Sequence, residues 1–331
     1  MKIALDAMGG DRAPVGIVDG AFEAAREASG RFEIVLVGKR DVLERYIDGA
    51  RLKAPGVEIV DAPEVVEMAE SPATAIRRKR ASSIGVAMNL QREGKVAAVV
   101  SAGNTGAVVA SSLLTIGRLP GIERPAIAIY LPTKNGGTIV LDGGANSDCD
   151  PRNLLQFGIM GSLYAETFLD KERPRVALLS IGEERSKGNE LTRGAYELLE
   201  KSGLNFAGNV EGRDVFAGKA DVVVTDGFVG NVVLKYTEGL FYYISDFIRD
   251  ETRRHALAKI GALLMRPVFK GMKRTLDYAE YGGMPLLGVN GVVIISHGRS
   301  SSRAIKNAIL AAERFATGGV NERIRRKAEG S

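Results

Sequence analysis

The sequence predicts an α/β protein with a mostly parallel sheet, and three observations carry that prediction. Short β-branched or apolar runs alternate with helical patterns along the chain. Small, polar, glycine-rich loops follow five of those runs, the place where open α/β sheets bind ligands. At 331 residues, with 26% charged and 45% hydrophobic, the chain can bury a sizeable core, as one large domain or two lobes around a cleft.

In chain order, Lys2–Asp6 reads as a strand and Val15–Ala28 as a helix after it. Glu33–Val37 is the next strand, and the helical stretch Ser82–Arg92 precedes the strand Val96–Ser101. Ala126–Leu131 and Thr138–Asp142 follow as strands. Asp150 and Pro151 then open a helix reaching Phe168, an acidic cap followed by proline at the first helical position. The strand Arg175–Ser180, the helix Glu190–Lys201, the strands Ala220–Thr225 and Val292–Ser296 and the helix Arg303–Ala316 complete the alternation. No repeat, low-complexity segment or linker interrupts it, so a single domain over 1–331 is expected. The charged end Asn321–Ser331 is expected to fray.

Cys149 is the one cysteine, so neither an intrachain disulfide nor a Cys-based metal site can form. That fits a reducing, cytoplasmic compartment. The opening Met1-Lys2-Ile3-Ala4-Leu5-Asp6 is not a signal peptide, and no apolar run approaches the roughly 20 residues of a spanning helix. The net charge of +5 is regional: Arg253–Arg274 holds seven basic residues and no acid, and the rest balances 38 basic against 40 acidic residues. No aromatic-interleaved basic motif or zinc spacing accompanies that stretch, so no nucleic-acid partner is expected.

The five loops are Ser101–Gly106, Asp142–Asn146, Ser180–Glu190, Thr225–Asn231 and Ser296–Ser302. Glycine lets backbone N–H groups approach an oxyanion, and a helix start adds a favourable dipole. One such loop is ordinarily a tight turn; five on one edge of a sheet indicate an anion-binding cleft, for phosphate or carboxylate. There is no GxxxxGK[ST] phosphate loop, no GxGxxG after a strand and no GxSxG elbow. Asp226 before Gly227 is a turn-former rather than a magnesium ligand, so neither a metal nor a cofactor is expected.

Asp6-Ala7-Met8-Gly9-Gly10-Asp11, the Ser101–Gly106 and Asp142–Asn146 loops, Lys187-Gly188-Asn189-Glu190, Glu211-Gly212-Arg213-Asp214, Thr225–Asn231 and Tyr281-Gly282-Gly283 together resemble the phosphate acyltransferase (PlsX-type) family, in the family's order from the first residues to about Ala316. The resemblance implies a three-layer α/β/α fold like that of isocitrate and isopropylmalate dehydrogenases and of phosphotransacetylases. It implies transfer of a long-chain acyl group from acyl-acyl carrier protein to inorganic phosphate, at the start of phospholipid synthesis. A homodimer, peripheral membrane association and no cofactor come with it.

Phosphate attack on a thioester asks the protein to hold phosphate near the carbonyl, stabilise a tetrahedral oxyanion and help the thiolate leave. Lys187 is the first catalytic candidate, a point charge for phosphate or oxyanion, with a solvated loop lysine among Glu183, Glu184 and Arg185 as its alternative. Asn231, at a helix start after Asp226 and Gly227, can aim its amide at a ligand or act as a cap. Gly103, Asn104, Thr105 and Gly106 present donors at another helix start. Asn146, Asn189, Asp226, Gly227 and Gly230 complete the substrate-binding set, each open to a plain cap or turn role. His297, at a strand end before Gly298, can protonate the thiolate. Cys149 lies between Asp148 and Asp150, which raise its thiol pKa, and is rejected as nucleophile. A phosphotransacetylase-like enzyme of short acyl-CoA is the competing enzyme reading, and an anion-sensing or scaffolding module is the competing non-enzyme reading.

The basic stretch predicts a helical hairpin over 253–274, broken at Pro267. Leu257, Ile260 and Leu264 share one face, with Leu263 beside them and Lys259 and Arg266 opposite. Val268, Phe269 and Met272 continue the apolar stripe beside Lys270, Lys273 and Arg274. Such a hairpin fits a dimer interface, the acidic carrier protein or an anionic membrane.

Overall fold

The computed structural model describes residues 1–47, 56–276 and 281–329. Its strands form two sheets rather than one. The first runs β3 (Val57–Asp61), β2 (Glu33–Gly38), β1 (Lys2–Asp6), β4 (Ala98–Ser101), β12 (Val292–Ile295), β11 (Met284–Leu287) and β5 (Ala126–Ile127). The second runs β6 (Ile129–Thr133), β7 (Gly136–Leu141), β10 (Val222–Val224), β8 (Val176–Leu179) and β9 (Phe206–Val210). Pairing is parallel except where β11 meets β12 and β5, and where β6 meets β7.

The central strands read as continuous apolar runs because both faces are covered by helices. In β1, Ile3 and Leu5 enter one core and Ala4 the other; in β10, Val222 and Val224 divide from Val223 in the same way. On the first sheet one face is covered by α1 (Val15–Ala28) and α12 (Ser302–Thr317), the other by α4 (Ser83–Arg92) and α5 (Thr105–Thr115). On the second, α6 (Pro151–Phe168) lies across β7 and β10 beside α7 (Glu190–Lys201), and α8 (Gly212–Ala217) contributes Val215 to the opposite core. Each core draws residues from both sheets. The start of α6 is as the sequence indicates: Asp150 Oδ1 accepts from Arg152 N and Asn153 N, and Asn153 Oδ1 accepts from Asp150 N.

Several expectations change. The run Ala126–Leu131 is two strands: the chain leaves the first sheet after Ile127 and joins the second at Ile129. Ala128 N donates to Pro285 O at the crossing. The charged C-terminus does not fray: α13 (Val320–Glu329) docks by burying Val320 and Ile324, and Arg323 pairs with Glu166 of α6. Residues 330–331 of that end lie outside the described residues. The edge strands β3 and β9 carry Glu58, Asp61 and a Gly208-Asn209 pair, so their sequences lack the apolar runs of the central strands.

Two short helices, α2 (Arg40–Tyr46) and α3 (Pro72–Arg78), also lack a strong sequence period. The helix opened by Asp226 is α9 (Gly227–Arg254), 28 residues and roughly 42 Å long. It leads into α10 (Ala256–Leu264) and α11 (Arg266–Leu276), the expected hairpin. The break falls at Met265, two residues before Pro267, and Pro267 then sits in the first turn of α11, where its missing N–H costs nothing. The side chains of Lys273 and Arg274 lie outside the described residues.

Candidate active site

Because there are two sheets, the five loops do not share one edge. Three leave β7, β10 and β8, which are adjacent and parallel, so their carboxyl ends lie side by side at strand spacings of about 4.8 Å. The other two leave β4 and β12, neighbours in the first sheet, and the Asp6–Asp11 turn after β1 joins them there.

In the second sheet the loop after β7 is built on Asp142, which is completely buried. Its Oδ1 accepts from the backbone N–H groups of Ile127, Gly144 and Ala145, at 2.9, 3.1 and 3.1 Å. Its Oδ2 accepts from Asn146 N and Asn146 Nδ2, both at 2.8 Å. Burial pushes this carboxyl's pKa up, against the donors of Ile127, Ala145 and Asn146 that pull it down. Asn146 gives its other amide hydrogen to Pro125 O at 2.7 Å. Its Nδ2 is therefore a staple between loop and scaffold, not a ligand donor.

The first turn of α9 lies on this loop. A Cβ at Gly230 would sit 1.9 Å from Asp142 O, and one at Gly227 would sit 2.6 Å from Asn146 O, so only glycine permits the approach. The close contact also places Asn231 directly over Gly144, whose Cβ would be 3.3 Å from that of Asn231. Asp226 Oδ1 caps α9 by accepting from Val229 N at 2.9 Å. The Asn231 amide is exposed and has no hydrogen-bond partner among the described residues.

On the β8 side, Gly188 has φ +102°, and a Cβ there would strike Thr192 Oγ1 at 2.1 Å and Ser180 Oγ at 2.9 Å. The Lys187–Asn189 turn is thus folded tightly over Ser180, whose hydroxyl is buried without a partner. Asn189 is used as the cap of α7, accepting from Thr192 N at 2.9 Å. Around Lys187, Glu183 is paired with Lys219 and Arg185 with Glu200 at 3.0 Å, while Glu184 has no ion pair among the described residues. Lys187 itself is exposed and its ammonium has no partner among the described residues.

In the first sheet, Asp6 is buried and accepts from Ser101 Oγ at 2.7 Å and Met8 N at 3.2 Å, while Ser101 Oγ accepts from Gly103 N at 3.1 Å. Burial pushes the Asp6 carboxyl up, against donation from Ser83 and Ser101. A Cβ at Gly9 would lie 2.8 Å from Gly103 N. This Asp6–Ser101–Gly103 relay holds the loop; the sequence flagged its residues as motif but not as a cluster. Asn104 spends its whole amide on structure, accepting from Ala107 N and donating to Met68 O and Glu70 O. Gly106 gives room for Pro72, and Thr105 is exposed at the first turn of α5. Caps and staples thus take up the side-chain donors of Asn104 and Asn146, whereas Asn189 engages only its oxygen. Among the described residues Lys187, Asn189 and Asn231 keep open donors.

His297 Nδ1 accepts from Arg299 N at 3.1 Å, and its Nε2 lies 3.4 Å from Lys235 Nζ. Burial and the Lys235 charge hold its pKa below the usual histidine value. The Cys149 thiol is pushed up, as the sequence indicated, but from other causes. Burial comes first, then the Asp142 carboxylate, and together they push the thiol up to about 11. His297 lies on the wall of a cavity of about 430 Å³ between β6, β11, α9 and the β12–α12 loop. Among the described residues no cluster of three or more His, Cys, Asp or Glu side chains is placed to hold a metal ion.

A family model described as fatty acid synthesis protein matches residues 1–323. Curated relatives named phosphate acyltransferase include one from Heliobacterium modesticaldum, 57% identical over 94% of this chain and 93% of its own. Another, from Pelotomaculum thermopropionicum, is 54% identical over 99% of this chain and 95% of its own. Among solved structures, the EutD phosphotransacetylase from Staphylococcus aureus superposes with a TM-score of 0.60 at 16% identity, covering 96% of this chain and 94% of its own. A 4-hydroxythreonine-4-phosphate dehydrogenase from Klebsiella pneumoniae gives a TM-score of 0.51 at 17% identity, covering 96% and 98%. Identities that low establish a shared α/β/α fold and nothing about the chemistry.

Proposed function

The chain belongs to the phosphate acyltransferase (PlsX-type) family, and from that premise we propose that it moves a long-chain acyl group from acyl-acyl carrier protein to inorganic phosphate by direct attack on the thioester. The observation that carries the reading is the pair of unpartnered donors, Lys187 and Asn231, on the loops of the adjacent parallel strands β8 and β10. The Ser180 hydroxyl beside the Lys187 turn, also unpartnered, supports an anion there.

A phosphate oxygen adds to the thioester carbonyl, the carbonyl oxygen becomes a tetrahedral oxyanion, and the C–S bond then breaks to give acyl phosphate and a thiolate. Lys187 supplies the fixed positive charge for phosphate or oxyanion, and the Asn231 amide donates to the reacting group. Gly103, Gly106 and Thr105 at the start of α5, and Gly227 and Gly230 at the start of α9, bring backbone close to the substrates, with Asn104, Asn146, Asn189 and Asp226 holding those loops. His297 is the candidate for protonating the departing thiolate. No acyl-enzyme is needed, in keeping with a Cys149 thiol pushed up to about 11.

The reading extends to assembly as one domain over 1–331, a homodimer and peripheral attachment to an anionic membrane. Phe228, Val232, Tyr236, Leu240, Tyr243 and Phe247 make an exposed apolar stripe along α9, the surface a second copy would cover. At the hairpin Leu257, Ile260, Leu263 and Leu264 are all exposed beside Lys259, Arg266 and Lys270, with Phe269 partly covered, as a membrane contact requires. No helix of the described residues is long and apolar enough to cross a membrane.

The test is phosphate-dependent release of carrier thiol from palmitoyl-acyl carrier protein. Lys187→Ala and Asn231→Ala should each lower turnover by about 10²-fold or more, with circular dichroism unchanged. Wild-type turnover in either variant removes that residue from the mechanism. Absence of phosphate-dependent release in the wild type removes the reading.

A further inference from the structure

The cavity beside His297 is not needed for phosphate or for the oxyanion, and its composition is unlike theirs. Ile129 and Leu131 of β6 and Met284 of β11 form one apolar wall, and Leu234 and Phe241 of α9 form another. At about 430 Å³ it falls within the ~300–1,000 Å³ range of small-molecule pockets. Pro132, Phe216, Ile295 and Ala304 add apolar surface, and Arg12, His297, Arg299 and Ser300 are polar; Ser300 is 2% exposed and its hydroxyl has no hydrogen-bond partner. Glu238 also faces the cavity, but it is neutralised by Lys235 at 2.8 Å.

The helix α9 connects this cavity to the reacting centre. Residues three, four, seven and ten or eleven apart share a helix face. Asn231 therefore lies in line with Leu234, Lys235, Glu238, Phe241 and Tyr242, and every one of these except Asn231 and Lys235 lines the cavity. From Asn231 to Tyr242 the helix advances roughly 16 Å. An acetyl group held at the Asn231 amide would end short of the apolar walls, whereas a long alkyl chain running along α9 would fill them.

We propose that this cavity is the binding site for the alkyl chain of the acyl thioester, with Leu234, Phe241, Ile129, Leu131 and Met284 setting the length it accepts. The proposal rests on the acyl-transfer reading above and names where that reaction measures its substrate.

The experiment compares kcat/KM for butyryl-, octanoyl-, dodecanoyl- and palmitoyl-acyl carrier proteins, read as phosphate-dependent thiol release. In the wild type, kcat/KM should climb with chain length, by up to about three- to fourfold per methylene buried, until the cavity is full. Thr237→Trp, which adds an indole on a partly exposed cavity-lining position of α9, should stop the climb at a shorter chain. Its palmitoyl-to-butyryl ratio should fall by about tenfold or more. Phe241→Ala should move the plateau to longer chains, and binding of a fluorescent fatty acid should weaken in Thr237→Trp independently of turnover. A wild-type profile that is flat, or one that both variants reproduce unchanged, overturns the proposal while leaving acyl transfer intact. If no acyl length supports phosphate-dependent release, the acyl-transfer reading itself fails.

Discussion

Replacing Asp142 by asparagine exchanges one acceptor oxygen for an NH2 group in a site that contains only donors. Five hydrogens converge on this carboxylate: three backbone N–H groups on Oδ1, and the backbone and side-chain N–H of Asn146 on Oδ2. The best orientation for asparagine keeps its oxygen toward the three N–H groups and turns the NH2 toward Asn146. Two hydrogen bonds to a charged group are then lost, at about 1.5–3 kcal/mol each, or about 3–6 kcal/mol together. For 331 residues an unfolding entropy of about 2.1 cal/mol/K per residue turns that into a fall of roughly 4–9 °C in Tm. Function should suffer as well, because the displaced loop carries Gly144, on which Asn231 rests. Scanning calorimetry of Asp142→Asn beside Asp148→Asn, an exposed carboxylate of the same loop, is the measurement. A Tm of Asp142→Asn within a degree or two of the Asp148→Asn control would refute the argument that this carboxylate holds the loop.

Three further outcomes are expected. Cys149→Ala should retain turnover, and mass spectrometry of protein mixed with acyl thioester without phosphate should show no added acyl mass; a stable acyl adduct overturns direct attack. Because the folded pKa of His297 is lowered, its contribution to stability is present above the ordinary histidine value of about 6.5 and lost as pH falls through the folded value. The Tm difference between wild type and His297→Asn should therefore narrow between about pH 7.5 and pH 5.5, and a difference that widens contradicts the burial argument. Leu263→Glu or Leu264→Glu should abolish co-sedimentation with anionic vesicles, each exposed leucine being worth roughly 1.5–3 kcal/mol when buried, with thiol release in solution unchanged. Dissociation of the proposed dimer by either variant would instead assign the hairpin to the subunit interface.

The alternation of apolar runs and helical patterns determined the α/β class, and local chemistry determined many boundaries. The Asp150-Pro151 start of α6 and the Asp226 cap of α9 are decided within a few residues of chain, so they were legible. So were the hairpin and the loops that carry Lys187 and Asn231. Nothing local says that the run through Ile127 and Ile129 changes sheets, because both halves are equally apolar and only partners in distant strands separate them. The C-terminal helix was illegible for the converse reason: its charged composition hides Val320 and Ile324, whose burial depends on α6 being there. The amides show the same division most clearly. Asn104, Asn146, Asn189 and Asn231 are equivalent in sequence context, each beside a small residue at a loop or helix start. Tertiary contacts take up the donors of Asn104 and Asn146, the Asn189 oxygen caps its own helix while its NH2 stays open, and the Asn231 amide stays open over Gly144. Which donor stays open is decided by how the β7 loop packs on the helix rising from the adjacent strand β10, and a periodicity carries no information about that.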